Sequence, residues 1–196
     1  ERKEVIPLIP EIISWQDGAT KNDCEMNASK RFLAQLHQEH PHLNIVATHD
    51  AISPNGPYIR FVTELGYRFI FNVKDSDHTH LFAQFDAAVA RGDAGELILQ
   101  DPQVPERFHY FHWANGLPIN ASHKDVLVNL LEYYEVTGDE RVRFSWVTDI
   151  PITKTNVYRI MRGGRARWKI ENETFNTLKN QGYHLEHNFG LGKQYL

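Results

Sequence analysis

Asp50 follows His49 at the end of the strand-type run Leu43-Asn-Ile-Val-Ala-Thr, at the edge where α/β sheets hold their ligands and acids. A turn aspartate ahead of Ala51-Ile-Ser-Pro54 would look the same in sequence. Arg167 and Glu171 are four residues apart, which on a helix puts them about 40° apart on one face. An ordinary surface salt bridge accounts for that spacing. Trp168 and Ile170 flank the pair, however, and make the helix partly buried. A carboxylate on a half-buried helix needs a partner, and a divalent metal is one.

Other reactive residue types carry less. The close histidine pairs His40 and His42, His78 and His80, His109 and His112, and His184 and His187 fit no zinc pattern with a third ligand at fixed spacing. Cys24, the single cysteine, lies in an amphipathic stretch with no His or Asn tied to it, and reads as a core thiol. Gly163-Gly164 precedes a helical pattern but lacks the Lys-Ser/Thr of a phosphate loop.

The elements that must position these residues follow from periodicity and breakers. Val5 to Leu8 reads as a short strand. Residues 22–38 read as a helix, with Asn22 or Asp23 as N-cap and Met26, Phe32, Leu33 and Leu36 near one face. The run from Leu43 reads as a strand, residues 54–65 as a helix closed by Gly66, residues 68–73 as a strand, and residues 78–91 as a helix closed by Gly92. Residues 106–113 and 142–147 alternate and residues 126–136 are apolar and aromatic, which reads as three or four antiparallel strands, with turns expected at Asn115-Gly116 and Thr137-Gly138-Asp139. Beyond Thr153 a helix carries Val157, Ile160 and Met161 on one face, Gly163-Gly164 reads as a break, and a second helix runs from about Arg165 to Asn180. Strand–helix alternation followed by a β block predicts a mixed α/β sheet.

The chain has 196 residues, 41% hydrophobic and 23% charged, which suits a packed globular protein rather than a disordered one. No window nears the apolar length of a membrane helix, and residues 1–4 carry no signal-peptide core. A lone cysteine excludes an internal disulfide and predicts a reducing, intracellular setting. Charge is uneven. Residues 1–153 hold 13 Lys and Arg against 22 Asp and Glu, whereas residues 154–196 hold 8 against 3. A basic tail on an acidic body predicts one face built for a polyanion.

The stretch Gly164-Arg-Ala-Arg167-Trp168-Lys-Ile-Glu171, running on to Lys179 and Tyr183, resembles the C-terminal signature of insertion-sequence DDE transposases. That pattern is Tyr, two residues, Arg, three residues, Glu, six residues, Lys. Arg167 and Glu171 match it, Gly164 stands at the Tyr position, and Lys179 falls one residue late. His49-Asp50-Ala-Ile-Ser-Pro-Asn-Gly-Pro-Tyr-Ile resembles the family's second catalytic aspartate at a strand end, and Trp146-Val-Thr-Asp-Ile-Pro its last inserted strand.

The resemblance implies an RNase H-like mixed sheet with helices, carrying an antiparallel β insertion before the C-terminal catalytic helix. Residues 1–105 would be the core, with its first strand and first catalytic aspartate expected upstream of residue 1. Residues 106–152 would be the insertion, and residues 153–196 the helices that complete the core. It implies Asp50 and Glu171 as catalytic carboxylates holding Mg²⁺ or Mn²⁺, with their oxygens about 4–8 Å apart across a two-metal centre. Arg165, Arg167, Trp168, Lys169 and Lys179 would contact DNA. The implied partners are transposon-end DNA, target DNA and a second transposase subunit, in the bacterial cytoplasm at the nucleoid and with no membrane role. A DNA-binding or assembly remnant without chemistry, or another RNase H-like nuclease, are the alternatives.

Overall fold

Six strands form one mixed sheet in the order β1-β2-β6-β5-β4-β3. In chain order the elements are α1 (Glu25–Glu39), β1 (Val46–His49), α2 (Gly56–Glu64), β2 (Arg68–Asn72), α3 (Thr79–Arg91), β3 (Gly95–Gln100), β4 (Arg107–Pro118), β5 (Leu127–Thr137), β6 (Glu140–Thr148), α4 (Val157–Ala166) and α5 (Asn176–Asn180). The computed structural model describes Leu8, Glu11 and residues 25–49, 54–168 and 176–182. Residues 10–164 form one compact unit, and residues 1–9 with 165–196 form another. In the second unit α5 is a five-residue helix with Lys179 exposed. The strand expected over Val5 to Leu8 and the N-cap expected at Asn22 or Asp23 lie outside the described residues, apart from Leu8.

Local chemistry sets the boundaries. Asn55 sits in extended geometry and its side-chain oxygen accepts the Tyr58 N–H at 2.9 Å, capping α2, while Pro57 occupies the first turn where its missing N–H costs nothing. Gly66 and Gly92 follow α2 and α3 at φ +75° and +77°, where a side chain would be strained. β5 and β6 are joined by the two residues Gly138 and Asp139 between the paired Thr137 and Glu140.

β1 and β2 are parallel, with Val46 opposite Arg68 and His49 opposite Phe71. Every other pairing is antiparallel, so the block expected over residues 106–149 is present as β4 to β6 and continues the same sheet through β2. Because side chains alternate across a strand, the sheet builds two cores. Phe69, Phe71, Leu130 and Val147 face α1 to α3, meeting Leu33, Tyr58, Val62, Leu81 and Phe85. Ile70, Leu131, Tyr133 and Trp146 face the other way, against Val157, Ile160 and Met161 of α4. Each fully buried phenylalanine or leucine contributes about 1.5–3 kcal/mol of transfer free energy.

Two local expectations change, and one strand appears that the sequence does not mark. Gly163-Gly164 does not break the chain: α4 runs through both. The reason is steric. A Cβ at Gly164 would lie 2.5 Å from the Trp146 indole, and one at Gly163 would lie 2.7 Å from the Ile70 Cδ1, so glycine lets the helix axis approach the sheet. Asn115-Gly116 is not a hairpin turn but an irregularity inside β4, where the register slips between Ala114 and Leu117. Its loose groups are satisfied: Gly116 N–H donates to Asn129 Oδ1 at 3.0 Å, and the Asn115 amide exchanges two hydrogen bonds with the Ile152 backbone at 3.0 and 2.9 Å. β3 carries no strand signal clear enough to read beforehand, because Gly92-Asp-Ala-Gly95 looks like loop and Ile98 interrupts its alternation.

Two measurements test this packing. Gly164→Ala should lower the urea midpoint by an amount equivalent to about 1–3 kcal/mol, because the buried Trp146 ring has no room to turn. Gly163→Ala should be close to neutral, since it meets only the end of an aliphatic chain and gains helix propensity of about 1 kcal/mol. His78 precedes α3 as its buried N-cap, and burial pushes its imidazole below the ordinary value, opposed by Asp77. The unfolded chain therefore takes up the proton first. His78 stabilises the fold fully above about pH 6.5 and loses that contribution as pH falls toward the depressed folded value. Relative to His78→Gln, the wild type should lose stability below pH 6.5 in pH-dependent urea titrations.

Candidate functional site

The C-terminal end of β1 is fastened from three elements at its last residue, His49. Ser29 of α1 places its Oγ 3.1 Å from His49 Nε2, and the same hydroxyl lies 2.6 Å from the Tyr58 Oη of α2. The imidazole edge also meets the rings of Tyr58 and Phe71 at centroid distances of 5.4 and 5.8 Å. Tyr58 is buried, which raises its phenol pKa, and its bond to Ser29 only partly opposes that, so the proton stays available to the hydroxyl chain. Asn55 ties in from the far side, donating from Nδ2 to the Met26 sulfur at 3.4 Å. The helix before the strand and the helix after it are thus locked to the strand end next to Asp50.

Asp50, Lys169 and Glu171 lie outside the described residues, and so does the expected approach of the two carboxylates. Arg165 is in the last turn of α4 and exposed. Arg167 is a half-buried turn residue following α4 rather than an interior helix position, and Trp168 is 63% exposed. Of the helix expected from Arg165 to Asn180, Arg165 and Ala166 belong to α4, Arg167 is a turn residue, Trp168 and residues 176–180 are helical, and residues 169–175 lie outside the described residues.

α4 separates its residues by face. Val157, Ile160, Met161 and Gly164 are buried, at the spacing of one helical stripe. Arg159, Arg162 and Arg165 are exposed on the opposite side, with no acidic residue in the helix. Lys154 is exposed just before it.

A second polar cluster lies on the α4 side of the sheet. Buried His109 places Nδ1 2.7 Å from the Tyr133 hydroxyl, which donates to Glu135 at 2.9 Å. His109 Nε2 is 3.4 Å from Asp101 Oδ2, outside good hydrogen-bond geometry, and Arg107 lies 3.6 Å from Asp101. Backbone N–H groups of Gln103 and Val104 hold the Asp101 carboxyl below its usual range, with His109 and Arg107 adding to the effect. The ring of Tyr158 on α4 stands edge-on to His109 at 5.9 Å.

His112, three residues on, points to the opposite face and approaches Glu132 at 4.0 Å. The pair cannot share a ligand, since an odd spacing in a strand splits two side chains across the sheet. Among the described residues no three His, Cys, Asp or Glu side chains are grouped to hold a metal ion. His184 and His187 lie outside them.

Sequence reasoning reached Asp50 but missed what holds the strand before it. Ser29 and Tyr58 give no local signal, because their meeting depends on how α1 and α2 pack over β1. Ser29→Ala removes the Ser29 partner of the buried Tyr58 hydroxyl, and Tyr58→Phe removes one of the two partners of Ser29. Ser29→Ala and Tyr58→Phe should each cost about 1–2 kcal/mol in chemical denaturation, and the double variant should cost less than their sum.

Among the described residues no helix is long and apolar enough to cross a membrane. No protein-family model matches the chain, and no curated protein is similar to it in sequence.

Proposed function

We propose that the chain acts on DNA as a transposase catalytic unit, cleaving strands at transposon ends and transferring them to target DNA with Mg²⁺ or Mn²⁺. The proposed framework is RNase H-like, with residues 106–152, which include β4 to β6, as the insertion. The observation that carries the reading is the end of β1. A parallel strand stops at a residue fastened by Ser29, Tyr58 and Phe71, and an aspartate follows it directly. Ligand-holding carboxylates occupy that position in α/β sheets because the strand fixes them while the loop leaves them open.

Asp50 and Glu171 are the proposed catalytic ligands, and their hard oxygen donors suit Mg²⁺. When bound, the metal supplies activation of the attacking oxygen and stabilises the leaving one. The protein's own part is positioning. Ser29 and Tyr58 hold the strand end, and the cations of α4 bind phosphate. Arg159, Arg162 and Arg165 form the exposed stripe, while Arg167, Trp168, Lys169 and Lys179 extend the proposed contact with DNA. A second transposase subunit would share the DNA.

A second reading, DNA binding or assembly without chemistry, is favoured by the basic stripe of α4, which needs no carboxylate to grip a duplex. The separating experiment follows DNA binding and plasmid nicking together. Affinity should fall steeply with salt, and Arg159→Ala and Arg162→Ala should each reduce the slope of log K against log salt by about 0.9. In a chain that also carries the first catalytic aspartate expected upstream of residue 1, nicking of supercoiled plasmid with Mn²⁺ should appear, and it should disappear in Asp50→Asn and Glu171→Gln while binding persists. Binding with no nicking by that longer chain supports the second reading. A flat salt dependence removes both. Strand hydrolysis without joining to a target indicates an RNase H-like nuclease.

A further inference from the structure

β3 closes one side of the sheet, and among the described residues it pairs with β4 alone. Among the described residues its outward backbone groups are therefore a row of donors and acceptors open to another strand. Proteins usually blunt such an edge with Lys, Pro, a bulge or a very short strand. β3 has none of these. Its six residues, Gly-Glu-Leu-Ile-Leu-Gln, pair with β4 in unbroken register. Leu97 and Leu99 pack at the rim of the α4-side core, while Ile98 stands 57% exposed on the opposite face, between Glu96 and Gln100.

We propose that β3 is a self-association edge, pairing antiparallel with β3 of a second copy about a two-fold axis through Ile98. The strand is self-complementary in that register. A two-fold perpendicular to the sheet keeps each face on its own side, so residues opposite each other must share parity. Centred on Ile98, Ile98 meets the second copy's Ile98, and Leu97 meets its Leu99. Glu96 meets the Gln100 amide, which can donate to its carboxylate. Shifting the axis to Leu97 sets Glu96 against Ile98, and shifting it to Leu99 sets Leu97 against Asp101. The Ile98 register alone matches apolar with apolar and acid with amide. The result is one sheet continuing from one copy into the next, with the exposed isoleucines covered. A six-residue strand pair is small beside interfaces that persist when dilute, so the dimer is concentration-dependent. The pairing does not depend on the reading as a transposase.

The test is sedimentation of the whole chain over a hundredfold concentration range, with Ile98→Lys for comparison. The wild type should move from monomer to dimer, and Ile98→Lys, whose charge sits on the exposed face, should remain monomeric with an unchanged circular dichroism spectrum and urea midpoint. A wild type that stays monomeric throughout overturns the proposal, as does an Ile98→Lys variant that dimerises equally. Register is read separately by spin labels in a Cys24→Ser background. Labels at Ile98→Cys should show a short distance within the dimer, shorter than labels at Glu96→Cys, whose partner is Gln100. The reverse order of distances overturns the register.

Discussion

The antiparallel pairing of β2 with β6 joins a parallel α/β half to an antiparallel block, and both cores depend on it. Ile70 lies opposite Thr148 and Asn72 opposite Trp146. At one end the junction is sealed by the fully buried Thr148 and by the partly exposed Asp149 and Arg68. The buried Thr148 hydroxyl donates to Phe69 O at 2.6 Å and accepts the Ile150 N–H at 3.1 Å. The Asp149 carboxylate accepts the Phe69 N–H at 3.1 Å and lies 2.8 Å from Arg68 Nε. At the other end Ser145 donates to Val73 O at 3.1 Å. Unmade, the bonds of Thr148 and Ser145 would leave buried polar groups unsatisfied, at a cost larger than each bond's net contribution. They fix which residues of β2 and β6 stand opposite one another. That choice sends Phe69 and Phe71 to one core and Ile70 to the other.

From this seam the two faces acquire different characters. The face toward α1 to α3 is aromatic and aliphatic beneath the helices, and then becomes charged. There Arg143 bonds Glu132 at 2.9 and 2.6 Å and Asp75 at 2.8 Å. These bonds hold the Asp75 carboxyl below its usual range. The opposite face accepts α4 at close range because two glycines face Ile70 and Trp146. A tyrosine at 164 would collide with the Trp146 ring.

Function, as proposed, draws on two placements made by the same sheet. The parallel strand end beside Asp50 is held by hydroxyl and ring contacts from α1, α2 and β2. Burying the apolar stripe of α4 turns its arginines outward. Neither placement requires the acidic body of the chain to meet DNA, and the excess of acidic residues over residues 1–153 would repel it.

Much of this was legible in the amino-acid order, because it is local. Pro57, Asn55, Gly66 and Gly92 mark helix ends through backbone geometry that any context respects. The alternation of residues 106–113 marks β4, and the apolar, aromatic run of residues 126–136 marks β5, a central strand buried on both faces. The apolar stripe and cationic face of α4 are likewise written in its spacing. What only the tertiary structure decided is what distant segments do to one another. Gly163-Gly164 reads as a break because glycine weakens a lone helix, yet contact with Trp146 and Ile70 makes it the condition for packing. Asn115-Gly116 reads as a turn because its local preference is a turn, yet Asn129 and Ile152 hold it inside a strand. Ser29, His49 and Tyr58 meet across 29 residues, and no spacing rule connects them. Local free energies of about 1 kcal/mol per residue can be read along a chain. They are outweighed wherever a buried contact from elsewhere is worth more.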